Sequence, residues 1–526
     1  MQTDDIAIPI ARLLLCVVLG FTLTWCLIPL ICHKAKQWRF GGREHQFHHS
    51  HGPSIPRFGG LALVLSFAAL VVALRFMLPP VDLDGCSQQA IILGALAMFG
   101  LGFWDDLRPL GAKIKLGAQV LIASAIYAAG IQIQVVQIPF WGTTIDLGIL
   151  SYLATVLWLV ALTNLINLID GIDGLAGGVG FILMLLLAHV GANLGLPYTT
   201  LLTTGIAAAL LGFIYFNFPP AKVYMGDGGA YFLGFLIGML SIVHSQKGSV
   251  MAALIVPLFA LALPIVDVSF AILRRGLTGL PLFRPDRHHL HHLLLRFGFS
   301  RRRAVLILYS ISIGALFLAL GVFWSQGRLV PLMLGFLFVA LMLFLRGTGM
   351  VKEWFPAKNY FGSALTMRAE TRYALILSQW LEMESERRTS VKELWEDFQF
   401  VARKLGFSEV LLILPDETNI WRASVCKENQ KQLLRAQFNV NGCGNLHFAA
   451  DPDVLSVKLF NTISELAAEG WVKAASRWRK LNQIPLRFNA VANPETSLFQ
   501  RQQVRPYSPG TAELWVRSHG VQQTAK

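Results

Sequence analysis

Charge is scarce in this chain: Asp, Glu, Lys and Arg make up only 14% of its 526 residues, against roughly a quarter in an ordinary soluble domain. A soluble domain rarely reads that way. Cysteine is thinner still. Cys16, Cys26, Cys32, Cys86, Cys426 and Cys443 show no CxxC or other paired spacing, which excludes a disulfide framework and a cysteine-based zinc site and leaves unlinked, mostly buried thiols. The first apolar segment lacks the basic n-region and small-residue cleavage site of a removable signal, so it is read as a retained helix. No internal repeat is found.

What is present is apolar: 54% of the chain is hydrophobic, in runs long enough to cross a bilayer. Hydropathy places about eleven spans near 8–31, 57–78, 88–104, 114–130, 149–167, 175–193, 198–216, 229–244, 249–273, 303–324 and 328–346. Alternate connections collect Lys34, Lys36, Arg39, Arg43 and Arg57, then Arg108, Lys113 and Lys115, then Lys222, then Arg274, Arg275, Arg284, Arg287, Arg296 and Arg301 to Arg303. The positive-inside rule makes these loops cytoplasmic. The net charge of +14 thus has a membrane origin, and no nucleic-acid partner is expected. Residues 131–148 alternate polar and apolar around a turn and read as a small outer hairpin.

The expected fold class is an all-α polytopic membrane protein with a C-terminal α+β cytosolic domain. The domains expected are a membrane domain over 1–346, a linker helix over 347–388, an α+β domain over 389–492 and a loose tail over 493–526. In the α+β part a helix is expected near 390–405, strands at 409–414, 433–440 and 445–449, and a long helix over 451–478. That order is GAF- or PAS-like in pattern, and it holds no nucleotide loop, metal cluster or nucleophile motif.

Polar constellations fall on the expected cytoplasmic face. The central one is TNLINLIDGIDGLAGG, Thr163 to Gly178, where Asn167, Asp170 and Asp173 recur every third residue. On a helix that spacing places them roughly on one side. A carboxylate at bilayer depth costs on the order of 3 kcal/mol, so two within four residues need a reason. A second is Trp104-Asp105-Asp106, with Lys115 beyond it. Adjacent carboxylates repel unless a cation or proton separates them, which points to metal or general-base work. A third is Asn217 through Asp227 in NFPPAKVYMGDGG, a carboxylate between glycines that suits Mg²⁺.

The fourth constellation, PDRHHLHH, runs from Pro285 to His292. Four histidines suggest zinc, but no cysteine accompanies them and the arginines oppose a cation, so a clamp for a diphosphate fits better. The loop histidines His45, His48, His49 and His51, before Pro56-Arg57-Phe58-Gly59-Gly60, are less specific. Together these are acidic groups for a metal and basic groups for phosphates, the inventory of phosphoryl transfer.

The motifs WDDL…K, NLIDGIDGLAGG, PAKVYMGDGG and PDRHHLHH resemble the polyprenyl-phosphate N-acetylhexosamine-1-phosphate transferase family over about residues 10–345, with the last motif similar to its WecA/TagO branch. The resemblance implies transfer of sugar 1-phosphate from a UDP-N-acetylhexosamine to undecaprenyl phosphate, release of UMP, and dependence on Mg²⁺, with Mn²⁺ as a substitute. By motif position it implies Asp105, Asp106 and Asp170 as catalytic carboxylates and Lys115 at the lipid phosphate or diphosphate. It likewise implies Asn167 and Asp227 as metal ligands, Asp173 and Asn217 facing the uridine, and Arg287, His289 and His291 on the pyrophosphate and sugar. His288 stands where the family often has Asn, which leaves the sugar open between GlcNAc and its relatives.

The expected location is a bacterial cytoplasmic membrane with the active face inside. A homodimer, and a regulator or later glycosyltransferase on the C-terminal domain, are further expected partners. Direct attack by the lipid phosphate and a two-step route through an aspartyl phosphate both fit the residues. A muropeptide-precursor-type transferase is the neighbouring alternative. A secondary transporter is the alternative of another class, although transporters place such carboxylates near the midplane.

Overall fold

Runs of about twenty apolar residues satisfy every backbone group internally only as helices, and helices are what they form in this computed structural model. It describes residues 9–37, 55–78, 85–137, 143–247, 258, 261–279, 294–295, 297–325, 328–347, 360–414, 418–423, 433–440, 444–482 and 486–487. The apolar part contains α1 (Ile10–Gln37), α2 (Gly59–Met77), α3 (Gly85–Leu107), α4 (Ala112–Ala128), α5 (Leu150–Ile169) and α6 (Leu175–Asn193). It continues with α7 (Pro197–Asn217), α8 (Gly226–Lys247), α9 (Ala262–Thr278), α10 (Arg301–Trp324) and α11 (Val330–Gly347).

Among the described residues, 8 helices are long and apolar enough to cross a membrane: α1, α2, α3, α5, α6, α7, α8 and α10. Of the other expected spans, 114–130 forms α4, only 17 residues long, and 328–346 forms α11. Much of 249–273 lies outside the described residues.

Contacts divide the structure into two compact units. In the first, α8 is the enclosed centre, packed against α2, α3, α5 and α6. Tyr231, Phe232, Phe235 and Leu236 are shut off from solvent. The approach of α3 depends on Gly102, where any Cβ would collide with the carbonyl of Asp227. The expected hairpin is present: β1 (Val135–Gln137) pairs antiparallel with β2 (Thr144–Asp146). Gln246 of α8 holds its approach by donating to the carbonyls of Gly130 and Gln132 at 2.9 and 3.0 Å.

The second unit contains α12 (Tyr360–Glu384), α13 (Val391–Lys404), β3 (Glu409–Ile413), β4 (Thr418–Arg422), β5 (Leu434–Val440), β6 (Gly444–Ala450) and α14 (Val457–Asn482). Its sheet is antiparallel in the order β4-β3-β6-β5. Val410, Leu412, Leu446 and Phe448 face a core with Trp395, Phe398, Trp471 and Trp478. Three strands and three helices agree with the expected order; β4 was not anticipated. The closing helix starts at Val457 rather than 451, because Asp451-Pro452-Asp453 forms a turn in which the Asp451 carboxylate accepts from the Asp453 amide at 2.9 Å.

Candidate active site

Successive residues on an α-helix point roughly 100° apart, so the paired aspartates closing α3 leave it in different directions. Asp105 is fully buried. It accepts from the Leu110 amide at 2.6 Å and from the Lys115 ammonium at 3.1 Å, which closes the α3–α4 turn and draws Lys115 inward. Asp106 turns toward α8 and accepts from the amides of Asp227 and Gly228 at 3.1 and 2.9 Å. The Lys115 ammonium also lies 3.6 Å from the Asp227 carboxylate. One cation therefore stands between two carboxylates from distant parts of the chain.

Gly226 starts α8 with φ +77°, a conformation that disfavours any side chain, and a Cβ there would lie 2.7 Å from Asp106 Oδ2. Opposite, Asn167 and Asp170 occupy the C-terminal end of α5 a turn apart. Desolvation raises the Asp170 carboxyl well above the ordinary range; Asp227 and Asp106 push it the same way, while Arg57 opposes them. Asp170 thus shares an electrostatic environment with both.

The neighbouring loops are tied by backbone. Asn217, almost fully buried, accepts from the Gly174 amide at 2.8 Å and donates to the Val223 carbonyl at 2.7 Å. Asp173 accepts from the Ala221 amide at 3.1 Å. From α10, Tyr309 donates to the Gly174 carbonyl at 2.6 Å and Arg302 to the Pro219 carbonyl at 2.7 Å. The stretch before α2 joins the same face, with Tyr224 donating to the Pro56 carbonyl and Gly59 donating to the Tyr224 carbonyl, each at 2.9 Å. One helical turn past Lys115, Gln119 accepts from Asn164 at 2.6 Å.

Among the sequence-derived candidates, Asp105, Asp106, Lys115 and Asp227 are thus in direct contact, and Asp170 is within their field. Asn167 lies a turn from Asp170, and Asp173 and Asn217 brace the loops beside them. Arg287, His289 and His291 lie outside the described residues, as does His45 to His51. Sequence reasoning counted Arg57 and Arg302 only as cytoplasmic charges, not as site residues, and did not single out Tyr309. The last two, seven residues apart on α10, had a readable signal: polar groups on one face of an apolar helix.

The donor set also bears on a metal. Among the described residues no three His, Cys, Asp or Glu side chains form a ready cage. Mg²⁺ needs none, since it takes one or two protein oxygens and fills its octahedron with water and substrate phosphate. Asn167 and Asp227, the two expected ligands, carry hard oxygens of that kind, so their donor chemistry is compatible with Mg²⁺.

Residues 89–245 match the family model described as glycosyl transferase family 4. The chain is 35% identical over 322 residues to the probable undecaprenyl-phosphate N-acetylglucosaminyl 1-phosphate transferase of Bacillus subtilis, covering 60% of this chain and 87% of that protein. It is 33% identical over 316 residues to the decaprenyl-phosphate N-acetylglucosaminephosphotransferase of Mycobacterium tuberculosis, with 55% and 78% covered. To the phospho-N-acetylmuramoyl-pentapeptide-transferase of Shouchella clausii it is 31% identical over 329 residues, with 59% and 97% covered.

Proposed function

The chain belongs to the polyprenyl-phosphate sugar-1-phosphate transferases of glycosyl transferase family 4, and from that premise we propose that it moves N-acetylglucosamine 1-phosphate from UDP-GlcNAc onto undecaprenyl phosphate. UMP is the second product. The observation that carries the reading is the meeting of Asp105 and Asp227 at the single ammonium of Lys115, with Asp170 in the same field.

The acceptor is a phosphate monoester with a second pKa near ~6, so it is largely dianionic at neutral pH and needs little help to lose a proton. Lys115 is placed to receive it, as an ammonium that can exchange a carboxylate partner for a phosphate oxygen. An oxygen of the lipid phosphate bonds to the β-phosphorus of the UDP-sugar. The bridging P–O bond breaks, and UMP leaves with the electron pair. Asn167 and Asp227 would hold Mg²⁺, which when bound neutralises phosphate charge and polarises the β-phosphoryl group. Asp170 lies beside them, and Arg57 lends positive charge to the same end of the bundle. Arg287, His289 and His291 are assigned to the pyrophosphate and sugar on their motif alone.

Arg57, Arg108, Lys113, Lys115, Lys222 and Arg301 to Arg303 flank the helix ends that carry the carboxylates, which supports a cytoplasmic active face; the bacterial relatives support a bacterial inner membrane. The test is a panel of UDP-sugars with undecaprenyl phosphate and Mg²⁺ in liposomes, reading UMP. Release from UDP-GlcNAc that requires the lipid is expected. Solute flux without lipid-dependent UMP release would replace the enzyme with a transporter.

A further inference from the structure

The two aspartates at the end of α3 have different tasks, and the partner of Asp106 identifies its own. The first amides of a helix have no acceptor within it and are usually capped by a Ser, Thr, Asp or Asn just before the helix. The segment leading into α8 is Lys222-Val223-Tyr224-Met225-Gly226, and the position before the helix is Met225, which has no capping oxygen. The deficit falls on amides held at a crossing too tight for any side chain on Gly102. Asp106 fills it from another helix, with Oδ1 accepting from Asp227 at 3.1 Å and Oδ2 from Gly228 at 2.9 Å. Its negative charge there is also favoured by the helix dipole.

We infer that Asp106 is a positioning residue, a cap supplied by α3 that fixes the start of α8 and with it the Asp227 carboxylate, and that it is not a proton acceptor for the substrate. Each of its oxygens accepts from a backbone amide of α8, and the dianionic acceptor makes no demand for a base. Asp105, by contrast, faces Lys115. The kinetic part of the inference rests on the phosphotransfer reading; the capping part does not.

Two variants of the full-length protein in lipid nanodiscs test it, Asp106→Asn and Asp106→Ala. Asn is nearly isosteric and keeps one acceptor oxygen, so kcat for UMP formation from UDP-GlcNAc and undecaprenyl phosphate should fall about tenfold; Ala keeps none and should lose about a hundredfold or more. KM for UDP-GlcNAc should move much less than kcat in Asn. Hydrogen exchange of the amides in 226–229 should speed up in the same order, wild type slowest and Ala fastest. Equal inactivity of Asn and Ala with exchange unchanged from wild type would overturn the inference and make Asp106 a chemical participant. Should the wild type form no UMP, the phosphotransfer reading fails separately. Exchange then still decides the cap, because unchanged protection in Asp106→Ala refutes it alone.

Discussion

Asp227 is the residue where geometry and chemistry coincide most tightly: its amide is capped by Asp106, its carboxylate faces Lys115, and its carbonyl lies against Gly102. Replacing it with Asn keeps the shape and removes the charge. Asp227→Asn should therefore insert and melt like the wild type while UMP release drops by about a thousandfold, as when a transition-state interaction is removed. Near-normal turnover would remove it from the metal assignment. Asn217 makes a different case, because both ends of its carboxamide are engaged by backbone. Asn217→Ala would strand a buried amide and a buried carbonyl, a loss of about 2–4 kcal/mol. Its melting temperature in detergent should fall by several degrees, and an unchanged value would leave the side chain available to the nucleotide. The identity of these residues was legible in the sequence, since polar side chains at the ends of apolar runs are conspicuous. Their division into caps, braces and reactive groups was not, because it depends on partners brought in from elsewhere in the chain, 43 positions away for Gly174 and Asn217 and 121 for Asp106 and Asp227.

At the scale of elements, the helices were readable because a span is a run of one character, whereas β4 was hidden. Thr418 to Arg422 (TNIWR) does not alternate polar with apolar residues; only its burial alternates over the five positions, so the strand cannot be separated from a loop without its partner β3. The start of α13 is locally written: Ser390 accepts from the Glu393 amide at 3.2 Å while Glu393 reaches back to the Thr389 amide at 2.9 Å, a capping box shifted by one residue. On the same helix Asp397 receives two hydrogen bonds from Arg388, at 2.6 and 2.8 Å. Burial, with Glu384 and Glu393 beside it, still holds its carboxyl up at about 6. The unfolded chain would lose that proton near ~4. The folded unit therefore binds the proton more tightly, and the stability from this group is complete below about 4 and lost as pH rises through 6. Hydrogen exchange of α13, corrected for intrinsic rates, should show protection falling across that window in the wild type. The fall should be weaker in Asp397→Asn; identical slopes would dismiss the titration.

On the scale of the whole molecule, composition separated an apolar bundle from a charged C-terminal region; contacts give two units with a different boundary, the second taking residues from Leu273, inside α9. What the second unit does had no motif to announce it. We propose that it regulates the transferase or recruits a later enzyme. Deleting residues after Met350 should then leave basal UMP formation within about twofold while altering polysaccharide output in cells, differences of well under 1 kcal/mol in the barrier. Loss of membrane insertion on deletion would make the unit structural instead.

The enclosure of α8 has a consequence for biogenesis. The helices around it, α2, α3, α5 and α6, all precede it in the chain, so a nascent polypeptide builds the walls before their occupant leaves the ribosome. A polypeptide halted just short of Gly226 would contain Asp105, Lys115 and Asp170 yet have no Asp227 to bring to them. The carboxylate set would thus be completed only by the arrival of α8, with the basic motif from Arg287 to His291 still to follow.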